Sequence, residues 1–178
     1  DVDTNFFVPG SRQVNEFRFI IVAGLNREKG FSVLLHAFFK LREIYPDIKL
    51  IIVGDGDEKN SLQNFCDRTG ISNSVSFAGK ISRDDLRNNL QSAHSFVLPT
   101  RMEGQPVSIL EAIACGLPII TTIAVPPEQC PPFVGIRVAI DDIEALKAAM
   151  ETVIKNYHSF DRNRIRQFAV KEHDRSVV

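Results

Sequence analysis

The chain has 178 residues, 44% of them hydrophobic and 24% charged, with a formal net charge of −1. That length suits one domain able to bury roughly 70% of its unfolded surface. The near-zero charge excludes a nucleic-acid binder that works through bulk electrostatics. Three widely spaced cysteines, Cys66, Cys115 and Cys130, form no CxxC pair. They argue against a disulfide framework or a zinc site and fit a reducing cytoplasm. No apolar run reaches the roughly 18 residues of a membrane span, and no signal peptide is expected from the opening residues.

Taken in chain order, short apolar runs alternate with segments of helical period. Phe19 to Ala23 is a wholly apolar run that predicts a strand buried on both faces. Phe31 to Ile44 places Phe31, Leu34, Leu35, Phe38 and Leu41 at helical spacing, with Pro46 as the stop. Ile48 to Val53 predicts a second buried strand, ended by Gly54-Asp55-Gly56. Glu58 to Arg68 predicts an amphipathic helix that ends at Gly70. Val75 to Ala78 is a third strand. Ser82 then caps a helix through Leu90, with Asp84 and Asp85 in its first turn. Ser95 to Leu98 is a fourth strand. Val107 to Ala114 is a helix with Pro106 at its start and Gly116 as its stop. Ile119 to Thr122 is a fifth strand. Four prolines between Pro126 and Pro132 predict a stiff connection. A sixth strand is expected at Gly135 to Ile140, then helices over Asp141 to Asn156 and Phe160 to Glu172. The arginines of the last helix, Arg162, Arg164 and Arg166, read as a solvated face. Repeated strand–helix alternation implies crossover connections, hence an α/β fold with a doubly wound parallel sheet and helices on both faces.

Ligands of such sheets bind beyond the carboxyl ends of the strands. The residues just after the strands are therefore the candidates. They are Gly24, Asn26 and Lys29-Gly30 after the first, Gly54-Asp55-Gly56-Asp57 after the second and Gly79-Lys80 after the third. Pro99 to Pro106 follows the fourth. Glycines admit close backbone approach, and Lys29, Lys80 and Arg101 supply positive charge. The helix that starts beyond Pro106 offers N–H groups and the positive end of its dipole, so a phosphate is the natural occupant. Glu103 precedes that helix and Glu111 lies inside it, where a carboxylate accepts hydrogen bonds from a diol. Lys29 is placed to neutralise either a phosphate or Glu103. The Gly54–Asp57 segment reads as a tight turn rather than a metal site. A phosphate-receiver sheet is disfavoured, because Ala23-Gly24-Leu25 holds no acid.

Together these motifs resemble glycosyltransferase family 4, the group 1 glycosyl transferases. The segment EGQPVSILEAIACGLPII resembles the family signature, two glutamates separated by seven residues, here Glu103 and Glu111. AGLNREKG, LIIVGDGDE and VSFAGK resemble three further family segments in the same order. The opening DVDTNFFVPG is similar to the stretch just beyond the family's first domain. The resemblance runs through about Ile154. It implies one Rossmann-like half of a GT-B fold. Residues 1–178 would be a single C-terminal donor-binding domain, with 1–16 an interdomain linker segment and 157–178 a C-terminal helix and tail. The N-terminal acceptor domain would be absent.

It also implies a nucleotide-diphosphate sugar as donor and transfer with retention to a glycan or lipid-linked acceptor, as in polysaccharide assembly. No metal and no cofactor are expected. Lys29 would hold the diphosphate and stabilise the leaving group, and Glu103 would contact the transferred sugar. Glu111 would bind the ribose, and Lys80 and Ile81 would line the base pocket. Gly24, Gly104, Gln105, Pro106 and Val107 would complete the donor site. The expected partners are the donor and the N-terminal half, not nucleic acid. Membrane contact is expected only through the full-length protein, and the location is cytoplasmic.

Three departures stand out: Gly24 where the family often has an arginine, Gln105 where it often has an apolar residue, and Val125-Pro126-Pro127-Glu128 in place of a Gly-Gly. Two alternatives stay open, a non-catalytic nucleotide-binding module and an isomerase similar to nucleotide-sugar 2-epimerases. The isolated chain is expected to bind the donor nucleotide with little transfer activity of its own.

Overall fold

Among the described residues six strands pair in parallel: β1 (Arg18–Val22), β2 (Lys49–Val53), β3 (Val75–Gly79), β4 (Ser95–Leu98), β5 (Ile119–Thr122) and β6 (Gly135–Val138). This computed structural model describes residues 1–11, 15–104 and 106–174. The sheet order is β3-β2-β1-β4-β5-β6, with every pairing parallel. Phe19, Ile20 and Ile21 in β1 and Phe96 and Val97 in β4 are fully buried. Burial of consecutive residues means that both faces of the central strands are covered, as the wholly apolar runs predict. The edge strand β3 instead alternates, with Ser76 and Ala78 exposed.

Among the described residues six α-helices cover the sheet: α1 (Phe31–Arg42), α2 (Lys59–Thr69), α3 (Arg83–Ser92), α4 (Val107–Ala114), α5 (Ile143–Lys155) and α6 (Arg162–Glu172). α1 packs on α2 and α5, and α4 packs on α6. α1 stops two residues before the apolar period does, because the amides of Ile44 and Tyr45 both fold back onto the Leu41 carbonyl. β6 is shorter than Gly135 to Ile140, and Asp141 just beyond it has a left-handed backbone, φ 59°. An extended run cannot continue through that conformation.

Of the arginines of α6, Arg164 is exposed, but Arg162 and Arg166 are not part of a solvated face. Arg166 donates to the carbonyls of Phe7 (2.9 Å), Ala114 (2.8 Å) and Thr4 (2.9 Å). Arg164 lies over the Phe133 ring, 4.3 Å from its centroid. Arg162 donates to the Gly10 carbonyl. Charge spacing along a helix says nothing about which chain segment will later cover it. Here the opening residues do so: Val2 and Phe7 are buried, and Val2 makes a parallel bridge to Asp174. Phe6 is flanked by the guanidinium groups of Arg83 and Arg87 at 4.1 and 4.6 Å.

All three cysteines are free and buried. Burial pushes the Cys66 thiol up to about 11 and the Cys130 thiol up to about 12, so both are protonated at neutral pH. Among the described residues no helix is long and apolar enough to cross a membrane.

Candidate functional site

In the order β3-β2-β1-β4-β5-β6 the chain runs outward from β1 in one direction and from β4 in the other. The loops after β1 and β4 diverge at that point and leave a crevice over the sheet's carboxyl edge. The loop after β1 holds Gly24 to Gly30, and the loop after β4 holds Pro99 to Pro106. The two richest candidate segments thus meet at the switch point.

Their meeting is close. The Lys29 ammonium donates to Oε2 of Glu103 at 2.7 Å. The two side chains are 23% and 10% exposed, so the pair is largely withdrawn from solvent. Each partner offsets the other's desolvation, which neither would survive cheaply alone.

Local chemistry explains how Lys29 reaches this place. Residues Arg27–Lys29 form a 3-10 turn. Asn26 caps it, with its side-chain oxygen accepting from the Glu28 amide at 3.1 Å. Gly30 ends the turn with φ 72° and leads into α1. A Cβ at Gly30 would lie 2.0 Å from the Pro99 carbonyl oxygen. Only glycine lets the two loops come this near. The contact continues beyond it. The Arg101 amide donates to the Glu28 carbonyl at 2.7 Å, and Thr100 Oγ1 bonds the same carbonyl and that of Met102. Thr122, at the end of β5, donates to the Thr100 carbonyl at 2.6 Å.

Two helices start at this crevice, α1 beyond Gly30 and α4 beyond Pro106. Among the described residues neither has a side-chain cap. Ser82, Asp142 and Asp161 cap α3, α5 and α6, while α2, which starts beyond β2, also lacks a side-chain cap. Helix N-termini without an internal acceptor suit a bound anion, which supplies the missing acceptors and complements the dipole.

The remaining candidates spread around this centre. Gly104 is exposed, with open space on its Cβ side. Pro106 is the N-cap of α4, and Val107 is 44% exposed at its first turn. Glu111 sits half-buried one turn further on. Gln105 lies outside the described residues. Gly79, Lys80 and Ile81 lie at the end of β3, on the same rim but separated from β1 by β2. Lys80 is exposed and Ile81 packs partly against the core. Gly24 sits at the β1 terminus, and a Cβ there would meet nothing nearer than Asn26 Nδ2 at 3.5 Å. Gly54 and Gly56 belong to a turn pressed on the β1 loop. A Cβ on either would strike the carbonyl of Ala23 or Leu25. No group of three His, Cys, Asp or Glu side chains suited to a metal ion exists among the described residues.

Arg101 departs from the sequence reading. Its guanidinium does not face the crevice as a free positive charge. Nε pairs with both Asp141 oxygens at 2.8 and 3.0 Å, and Nη1 donates to the Arg27 carbonyl at 2.6 Å. Sequence reasoning missed Asp141, because no local pattern announces a left-handed residue forty positions downstream of its partner.

A groove of about 320 Å³ lies at the opposite edge, lined by Glu16, Arg18, Lys49, Leu50, Ser74 and Val75 among others. It sits at the amino ends of β1 to β3, where a wound sheet offers no helix N-termini.

An α/β chain with this strand order and a crevice at its switch point defines a Rossmann-like architecture. The same fold recurs in sucrose-phosphate synthase from Thermosynechococcus elongatus, with a TM-score of 0.86 at 22% identity over 99% of this chain and 48% of that one. It recurs in a pneumococcal O-GlcNAc transferase solved with UDP and GlcNAc, with a TM-score of 0.78 at 20% identity over 92% of this chain and 34% of that one. The model of the glycosyl transferases group 1 family matches residues 3–172, and the chain belongs to that family. It is 33% identical over 126 residues to a GDP-mannose-dependent phosphatidylinositol monomannoside mannosyltransferase of Corynebacterium glutamicum, covering 66% of this chain and 32% of the relative. The chain spans about a quarter to a third of the length of the curated relatives it matches.

Proposed function

We propose that this chain is the donor-binding half of a retaining glycosyltransferase that takes its sugar from a nucleotide diphosphate. The observation that carries this reading is the Lys29–Glu103 pair at the switch point, between two helix N-termini without side-chain caps. The diphosphate would sit over those N-termini and draw the Lys29 ammonium from Glu103. Lys29 would then face the charge that develops on the leaving phosphate, where a preformed cation stabilises the transition state. Glu103, released from Lys29, would accept hydrogen bonds from hydroxyls of the transferred sugar. Glu111, one turn into α4, would accept from the ribose diol. Lys80 and Ile81 would flank the base, and Gly24, Gly104, Gln105, Pro106 and Val107 would line the donor. Neither metal nor cofactor is needed, since Lys29 and the helix termini supply the positive charge. The acceptor, glycan or lipid-linked, would be held by an N-terminal half, and the reaction would run in the cytoplasm. The mannosyltransferase relative is named for GDP-mannose, and the pneumococcal neighbour was solved with UDP. Both support a nucleotide-diphosphate donor without choosing its base.

The test is thermal unfolding with UDP, GDP and ADP in parallel, with EDTA present. Ligand at about 100 times its Kd stabilises by roughly 2.7 kcal/mol, which for this length raises Tm by about 5–10 °C. One nucleotide is expected to give that shift. If none does, at any concentration up to the millimolar range, the donor reading is wrong.

Gly24 favours a second reading, a nucleotide-binding module without catalysis, because it withholds the arginine that the family often sets beside this lysine. The position has room for a side chain, since the nearest atom an added Cβ would meet is 3.5 Å away. Gly24→Arg is therefore expected to fold normally and to tighten nucleotide-diphosphate binding by roughly 10-fold, the worth of one charge-assisted hydrogen bond. Isothermal titration would detect it. Unchanged affinity would place the diphosphate elsewhere.

A further inference from the structure

Arg101 joins three loops of the carboxyl rim. It stands in the β4 loop, two residues before Glu103. Its amide and its Nη1 donate to the carbonyls of Glu28 and Arg27, the two residues just before Lys29. Its Nε grips Asp141, beyond β6. In sheet order this one side chain reaches from the β1 loop to the β6 loop, past the intervening end of β5.

Stability does not account for the arrangement. The Arg101 and Asp141 side chains are 28% and 49% exposed, and solvent screens an ion pair at that exposure to a small net value. Asp141 also holds φ 59°, a left-handed conformation that costs a residue with a Cβ some strain, although Asp tolerates it better than most. Among the described residues it is the one non-glycine residue with positive φ. A weak contact kept at the expense of a strained backbone is a device for geometry. The planar fork of a guanidinium suits that task. It bonds a carbonyl and a carboxylate at fixed angles at once, which a lysine cannot do.

Resting on the donor-site reading above, we infer that Arg101 is a positioning residue. Clamped by Asp141, it sets the separation of Lys29 and Glu103 and so the affinity of the site for a nucleotide diphosphate.

The experiment compares the wild-type chain with Arg101→Ala, Arg101→Lys and Asp141→Gly. Glycine accepts φ 59° freely, so Asp141→Gly removes the clamp and relieves the strain together. Its Tm is expected to stay within about 2 °C of wild type or to rise. Two readouts follow. The first is nucleotide affinity by titration with UDP, GDP and ADP. About a 10-fold loss is expected for all three variants, with no rescue by lysine. The second needs no nucleotide: the 13Cε NMR signal of Lys29, assigned through its loss in Lys29→Arg. In the wild type it is expected to move when Glu103→Gln is introduced. In the Arg101→Ala and Asp141→Gly backgrounds that response is expected to shrink by at least half. A full response in folded Asp141→Gly overturns the inference, as does unchanged affinity in a wild type that binds. If the wild type binds none of the three nucleotides, the donor reading falls, and the Lys29 signal alone then decides the role of Arg101.

Discussion

Gly30→Ala is expected to lower the stability of the chain by about 3 kcal/mol and Tm by roughly 6–12 °C. Two effects add. The residue holds φ 72°, where a Cβ costs about 1–2 kcal/mol. The new Cβ would also fall 2.0 Å from the Pro99 oxygen and 3.0 Å from its carbonyl carbon. Both are backbone atoms, so no side chain can swing away. The β1 and β4 loops would have to part, stretching the bonds from Arg101 and Thr100 to the Glu28 carbonyl. Gly70→Ala is the control. It shares the backbone conformation, φ 70°, but nothing lies within 4 Å of its Cβ, so only about 1–2 kcal/mol should be lost. Chemical denaturation of the two variants separates strain from collision. Equal losses would mean that the loops at the switch point are not in the contact described.

Lys29→Met should abolish most nucleotide binding, lowering affinity roughly 10- to 100-fold, the range for losing a hydrogen bond to a charged group. It should also destabilise the free chain by about 1–3 kcal/mol, since Glu103 is only 10% exposed and loses its cation. Adding Glu103→Gln to Lys29→Met removes the stranded charge. The double variant is expected to regain stability to within about 1 kcal/mol of wild type while binding stays weak. Denaturation gives the stability arm and calorimetry the binding arm. Recovery of nucleotide affinity in the double variant would show that Lys29 serves only to neutralise Glu103, and its place in the diphosphate site would be lost.

Between them the two experiments divide the crevice into scaffold and chemistry. Gly30 belongs to the scaffold, because it fixes how near the β1 and β4 loops come. Lys29 belongs to the chemistry, because its charge is the one placed to change partners when a diphosphate arrives. Arg101 stands between these roles, holding the backbone that presents both members of the pair.

Much of this molecule was legible from local rules. The runs at Ser95–Leu98 and Ile119–Thr122 are strands over those very residues, and Val107–Ala114 is the helix between them. Burial on both faces keeps such a run almost wholly apolar, and its few hydroxyls, Ser95, Thr121 and Thr122, are bonded to backbone carbonyls. Ser82 caps its helix as its type and place predict. Lys29 and Glu103 could also be picked out, since a lysine entering one helix and a glutamate entering another lie on the same rim of any wound sheet.

What local rules cannot supply is which distant segments become neighbours. Lys29 and Glu103 are 74 positions apart, and their contact exists because β1 pairs with β4, a choice made by the packing of the whole sheet. The same holds for Arg101, which looked like a free cation until the β6 loop brought Asp141 to it. It holds too for Arg166, whose helix face is covered by the opening residues. Periodicity, capping and turn chemistry act over a few residues, so the sequence by itself determined the elements, their order and the rim that carries the candidates. The partner of each charge on that rim was decided only by tertiary structure, because a charge pairs across space with whatever the folded sheet sets within reach.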